Sequence, residues 1–175
     1  MSKNNIIEWV KTIVISVIIA LIITMFIRPT LVLEYSMYPT IKQYDYLIIN
    51  KITYKINQPR HGDIVVFKSE LLTEGGKKKQ LIKRIIGIPG DTMEIKDGVV
   101  YRNGEPLKED FINGDFTPGE MTSVTVPEGE YFLMGDNRPN SLDSRSQQVG
   151  MVSKDRIIGK AFLRLFPFNK IGFLH

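Results

Sequence analysis

The chain has no cysteine, and only two histidines, His61 and His175, among 175 residues. Without cysteine there is no disulfide scaffold, no thiolate metal site and no thiol nucleophile. With so little histidine, neither a His-rich metal centre nor a Ser-His-Asp triad has the side chains it needs. No cofactor or metal is therefore expected, and any hydrolytic chemistry must find its base elsewhere. A nucleic-acid footprint is missing as well. The net charge is only +4 and no basic helix with interleaved aromatics occurs, so no nucleic-acid partner is expected. There is no internal repeat and no long low-complexity tract.

Charge itself is absent from one stretch, Thr12 to Ile27. With Ile6, Ile7, Trp9 and Val10 it gives about 22 apolar residues, a helix of about 33 Å. That matches a hydrocarbon core of about 30 Å. Arg28-Pro29 closes the run, because proline bars further helix. A cleaved export signal would end in a small-x-small site, whereas this run ends Met25-Phe26-Ile27. A core helix of a soluble protein would be amphipathic, and this one is apolar all round. A single transmembrane anchor in a lipid bilayer is expected. Lys3 and Lys11 before it and Arg28 after it favour a cytoplasmic N-terminus only weakly.

Beyond Thr30 the pattern predicts short strands: Leu31-Val32-Leu33, 45–49, 63–67, 81–88, 92–96, 99–102, 130–134 and 157–166. Asp97-Gly98 is a strong hairpin signal and Asn103-Gly104 marks the next turn. The polar stretch 72–80, with Lys77-Lys78-Lys79, reads as a hairpin tip or loop, and 110–123 as loop. The expected fold is mainly β, a barrel or folded-over sheet preceded by one transmembrane helix. The expected division is a cytoplasmic tail and anchor over 1–28 and an extracytoplasmic all-β domain over 29–175.

Ser36 is the candidate nucleophile. A free serine hydroxyl needs a base within hydrogen-bond reach, and lysine can replace histidine in that role. Lysine serves as a base only when neutral, and desolvation lowers its pKa from about 10.4. Lys83 lies on a predicted strand where Leu81 and Ile85 share its face, with Ile82, Arg84 and Ile86 on the other. From its own surroundings, Lys83 reads either as such a base or as an edge-strand lysine reaching to water. The segment Gly135 to Arg145 reads either as a polar loop rich in turn formers or as a shell that orients catalytic groups.

Taken together, the segments carry more. Ser36-Met37-Tyr38-Pro39-Thr40 after the anchor is similar to an SMxPT box, and Gly62 to Phe67 to a following strand box. Lys83 to Asp91 is similar to a KRxxGxPGD box and Gly135 to Arg145 to a GDNRxxSxDSR box. In this order, over nearly the whole chain, they resemble the type I signal peptidases of Gram-positive kind. The resemblance implies a signal-peptidase-like β fold and a membrane-bound serine endopeptidase that removes signal peptides from exported preproteins. It implies Ser36 as nucleophile, Lys83 as base, Ser141 as the hydroxyl orienting the lysine, and the Ser36 N–H as an oxyanion donor. It implies ion pairs of Arg84 with Asp136 and of Asp143 with Arg145. It also implies substrate added as an extended strand, with Val32, Met37, Ile41, Leu81 and Ile82 lining shallow apolar pockets.

Two positions before the serine, where the family usually carries a small or hydroxyl residue, this chain has Glu34, followed by Tyr35. A solvent-facing Glu34 leaves the chemistry intact, whereas one turned inward alters activity or narrows the substrate range. The pair also motivates a non-catalytic alternative, a pilus-assembly factor binding pilin or sortase. A self-cleaving repressor of related chemistry is disfavoured by the anchor and by the lack of any DNA-binding segment.

Overall fold

The computed structural model describes residues 3–174, so His175 lies outside the described residues. Helix α1, Lys3–Phe26, is the expected apolar segment. Its stretch Ile7–Phe26 is long and apolar enough to cross a membrane and is not buried in the rest of the protein, which touches its last turn where Lys51 donates to the Thr24 and Phe26 carbonyls at 3.2 and 2.9 Å. Strand β1, Ile27–Leu31, follows without a linker. The strand expected at Leu31-Val32-Leu33 thus begins earlier and stops at Leu31. Pairing decides this: Ile27 to Leu31 lie antiparallel to Asn50 to Tyr46 of β2, Tyr46–Asn50. Pro29 is tolerated because β1 is an edge strand, where a missing N–H costs no ladder bond.

The remaining elements follow in chain order: a single helical turn α2, Thr53–Ile56, then β3, Ile64–Leu72, β4, Lys78–Gly87, β5, Thr92–Lys96, and β6, Val99–Arg102. After these come β7, Glu105–Pro106, β8, Met121–Thr125, β9, Glu130–Met134, β10, Val152–Ser153, β11, Ile157–Phe166, and β12, Gly172–Phe173. The larger sheet has the order β1-β2-β11-β3-β4-β9-β10, with β12 added beside β11. A smaller sheet, β7-β6-β5-β8, is inserted between β4 and β9 in the chain.

Strand β8 overlaps the end of the stretch 110–123 expected to be loop and runs two residues past it. It is half exposed and sits at the edge of the small sheet, so it lacks the alternation that marks a strand in sequence. The turn Asp97-Gly98 joins β5 to β6 with φ of 50° and 78°, the left-handed pair that a two-residue hairpin requires. Of the polar stretch 72–80 only 73–77 is the hairpin tip, closed by a Thr73 N–H to Lys77 carbonyl bond of 2.8 Å; Leu72 ends β3 and Lys78 to Gln80 open β4, paired across the hairpin.

Alternation along β3 and β4 divides the core into layers. Ile64 and Val66 join Val32, Met37, Ile41 and Leu47 on one face of the large sheet. Val65 and Phe67 join Leu81, Ile85 and Leu133 on the other. Ile86, with Phe132 and Met134 of β9, packs on Met93 and Ile95 of the small sheet. Strand β4 touches all three layers, since Ile82 packs against the first. It lies between β3 and β9, away from either edge of its sheet. A side chain on β4 facing the second layer is therefore surrounded by hydrocarbon.

Candidate active site

Lys83 is such a side chain. It shares its face with Leu81 and Ile85, as the strand period requires, and is 1% exposed. Its position on an interior strand removes the edge-strand alternative. Ser36 opens a turn over 36–40, beyond the end of β1. The turn is pinned from below by Met37 and Ile41, 2% and 0% exposed, and by an Ile41 N–H to Met37 carbonyl bond of 2.8 Å. These anchors bring Lys83 Nζ to 2.6 Å from Ser36 Oγ, with a second bond from Nζ to the Ile82 carbonyl at 3.1 Å.

Burial pushes the Lys83 amine down from its ordinary 10.5 to about 8. The carboxylates of Asp143, Glu34 and Asp136 pull it back up, while the Lys79 ammonium pushes it further down. Desolvation wins because no carboxylate among the described residues is in contact with the amine. At pH 7 roughly one amine in ten is then neutral and able to accept a proton.

The segment after β9 holds this pair in place. Arg84 donates from Nε and Nη2 to the two oxygens of Asp136 at 2.9 and 2.8 Å, and from Nη1 to the Gly62 carbonyl at 3.0 Å. Arg145 makes a second forked pair with Asp143 at 2.8 and 2.9 Å, and Asp143 accepts the Gly135 N–H at 3.0 Å. Burial alone would raise the Asp143 carboxyl, but Arg145 and the Gly135 N–H outweigh it and hold it below the usual range. Forked guanidinium–carboxylate contacts fix direction as well as distance.

Ser141 Oγ is buried beside Gly135; Lys83 Nζ bonds to Ser36 and Ile82 rather than to it, and the Ser141 hydroxyl helps to hold the Asp143 carboxyl down. The Ser36 N–H donates to no acceptor among the described residues, so it is free to meet a developing oxyanion.

Three groups escaped the reading from sequence. Asn137 fastens the backbone at 35–36 twice, its N–H to the Ser36 carbonyl at 3.0 Å and its Nδ2 to the Tyr35 carbonyl at 3.1 Å. Gly135 leaves room for that approach, because a Cβ there would stand 2.4 Å from the Ser36 carbonyl and 2.3 Å from Ser141 Oγ. Glu109 pairs with the buried Arg138, from a loop that sequence left without a role. The asparagine and the glycine lie inside the GDNR segment, but what they touch is long-range.

Two clefts meet at Ser36. One of about 460 Å³ runs from Arg28 and Pro29, past Val32, Met37 and Ile82, to Ser36. The other, about 330 Å³, is lined by Leu81, Lys83 and Ser36. Ile41 lines neither and stays in the core beneath. Glu34 faces the cleft rim at 45% side-chain exposure, paired with Lys79. Neither Glu34 nor Tyr35 turns inward; both are exposed. No cluster of residues fit to hold a metal ion occurs among the described residues.

The arrangement is that of a hydroxyl activated by a desolvated amine beside an extended cleft, which suits acyl transfer from a peptide bond. The model of the family described as "Signal peptidase, peptidase S26" matches residues 6–166. The chain is 39% identical to signal peptidase I T of Bacillus subtilis (strain 168), over 96% of its own length and 89% of that protein's. It is 38% identical to a probable signal peptidase I-1 of Synechocystis sp., over 94% and 85%. Among solved structures, a signal peptidase I from Enterococcus faecalis V583 is 34% identical, with a TM-score of 0.49 over 60% of this chain and 97% of that one.

Proposed function

The chain belongs to the signal peptidase family, peptidase S26, and from that premise we propose how its residues cleave signal peptides from preproteins. Ser36 Oγ attacks the carbonyl carbon of the scissile bond as its proton passes to neutral Lys83 Nζ. The oxyanion is met by the Ser36 N–H, a donor of a kind commonly worth ~2.7–4 kcal/mol of barrier. The ammonium so formed returns the proton to the leaving amine, and the C–N bond breaks to leave an ester on Ser36. Water, deprotonated by the same amine, then attacks that ester; the C–O bond to Ser36 breaks, the ammonium returns its proton to Ser36 Oγ, and the acid is freed. The 2.6 Å contact between Ser36 Oγ and Lys83 Nζ, with its amine lowered to about 8, carries the assignment.

Arg84 with Asp136, and Arg145 with Asp143, keep the strand and the loop in register around the pair. The signal peptide lies extended in the 460 Å³ cleft, its small side chains against Val32, Met37 and Ile82. Residues 1–28 are a cytoplasmic tail and membrane anchor, and 29–175 a catalytic domain on the outer side. Support for this comes from the unburied stretch Ile7–Phe26 of α1 and from Lys3 and Lys11, which precede its uncharged run. Because β1 starts where α1 stops, the cleft begins within a few residues of the bilayer. No observation favours a binding-only role toward pilin or sortase. Glu34, which motivated it, is paired with Lys79, and the Ser36–Lys83 contact is intact.

The test is cleavage of a preprotein by the full chain in detergent. Ser36→Ala and Lys83→Ala are expected to lower kcat to background with the thermal transition retained. Substantial cleavage by Ser36→Ala overturns the assignment.

A further inference from the structure

A third cleft, of about 590 Å³, lies beyond the nucleophile. Tyr35, Tyr38 and Tyr44 wall it, Lys42 reaches over it, and Gln43, Asn137 and Asn140 supply amides. The signal-peptide chemistry does not use it. Yet it is continuous with the catalytic cleft, since Tyr35 and Asn140 line both.

Direction follows from the membrane. The apolar part of a signal peptide precedes the scissile bond and sits in the bilayer. The 460 Å³ cleft starts at Arg28 and Pro29, just after α1, so it takes the residues before that bond. The residues after the bond must leave past Ser36 on the opposite side, where Tyr35 opens the third cleft.

That cleft is built rather than incidental. Tyr44 holds φ of 68°, a left-handed conformation that a bulky residue seldom adopts. Its N–H bonds to the Val32 carbonyl at 2.8 Å, and its ring is left exposed on the wall. Strain kept in such a place is common where a side chain must be presented to a ligand. The cleft has one sign of charge. Lys42 Nζ stands 5.3 Å from the Tyr38 ring centre and has no carboxylate partner among the described residues. The neighbouring carboxylate, Asp45, is buried and paired with Arg164 at 3.1 Å. Glu34 lies at the other cleft, paired with Lys79.

We propose that this third cleft binds the first residues of the mature protein, and that Lys42 selects preproteins with an acidic side chain shortly after the cleavage site. The proposal rests on the peptidase reading given above. An ion pair at a half-open site stabilises by roughly 0.2–1 kcal/mol, which corresponds to a preference of up to about fivefold.

The experiment uses the full chain in detergent and peptides identical up to the scissile bond. They carry Glu, Gln or Lys at the second, third or fourth residue after it. At one of these positions kcat/KM should fall in the order Glu, Gln, Lys, and the spread should shrink as salt is raised. Lys42→Gln should flatten the order and Lys42→Glu should reverse it. An order that is the same in the parent and in Lys42→Glu overturns the proposal. If the parent cleaves none of the peptides, the peptidase reading fails instead. Calorimetric titration of the product peptides then decides the cleft: a preference for Glu over Lys that Lys42→Glu reverses supports it, and equal binding overturns it.

Discussion

Replacing Lys83 by methionine should make the protein more stable while removing its activity. The side chain is 1% exposed, and folding lowers its amine from 10.5 to about 8. Between those values the unfolded chain binds more protons than the folded one, so stability rises with pH. Below about pH 8 the protein bears the full cost of burying an ammonium, on the order of 3 kcal/mol. Above pH 10.5 the cost is gone. Methionine keeps the unbranched stem and drops the charge. It also loses the bonds to Ser36 Oγ and to the Ile82 carbonyl, worth about 1 kcal/mol each. The net gain at pH 7 is about 1 kcal/mol, or roughly 2–4 °C in Tm for a chain of this size. Thermal unfolding of both proteins in the same detergent at pH 7, 8, 9 and 10 reads it directly. The gap should be widest at pH 7 and close as the pH rises. A methionine variant less stable than the parent at pH 7, or a gap independent of pH, refutes the reasoning.

Gly135→Ala should cut kcat by at least tenfold, because its methyl group would stand 2.4 Å from the Ser36 carbonyl and must push the nucleophile aside; steady-state cleavage checks this. Asn137→Ala removes the Nδ2 bond to the Tyr35 carbonyl while its backbone N–H still holds the Ser36 carbonyl, and should lower kcat several-fold with little change in KM, as expected for a partial loss of orientation. The Glu34 and Lys79 charges act on Lys83 in opposite senses. Glu34→Gln should move the alkaline-rising limb of kcat/KM to lower pH and Lys79→Gln should move it to higher pH, which pH–rate profiles of the two variants will read.

Much of this was legible in the residues, where the signal was local. The anchor followed from an uncharged run, the β5–β6 hairpin from Asp-Gly, and the shelter of Lys83 from Leu81 and Ile85 two positions away on either side. What failed depended on distant partners. Strand β1 is fixed by pairing with β2, which drew the strand back to Ile27 although Leu31-Val32-Leu33 looked more β-prone. Strand β8, Met-Thr-Ser-Val-Thr, exposes most of itself at an edge and so showed no alternation. Asn137 reads as a turn former in a polar loop, and only the fold reveals that it touches residues 102 positions earlier. Ile41 looked like a pocket residue beside the nucleophile, but the turn over 36–40 directs it into the core.

The pH dependence of kcat/KM for a preprotein substrate bears most directly on the neutral amine at Ser36. With Lys83 as base, the rate constant should climb about tenfold per pH unit below pH 8 and level off above it, and Ser36→Ala should show no activity at any pH. A profile flat from pH 6 to 9 would contradict the account, because a base that must first lose a proton near pH 8 cannot work equally well at pH 6.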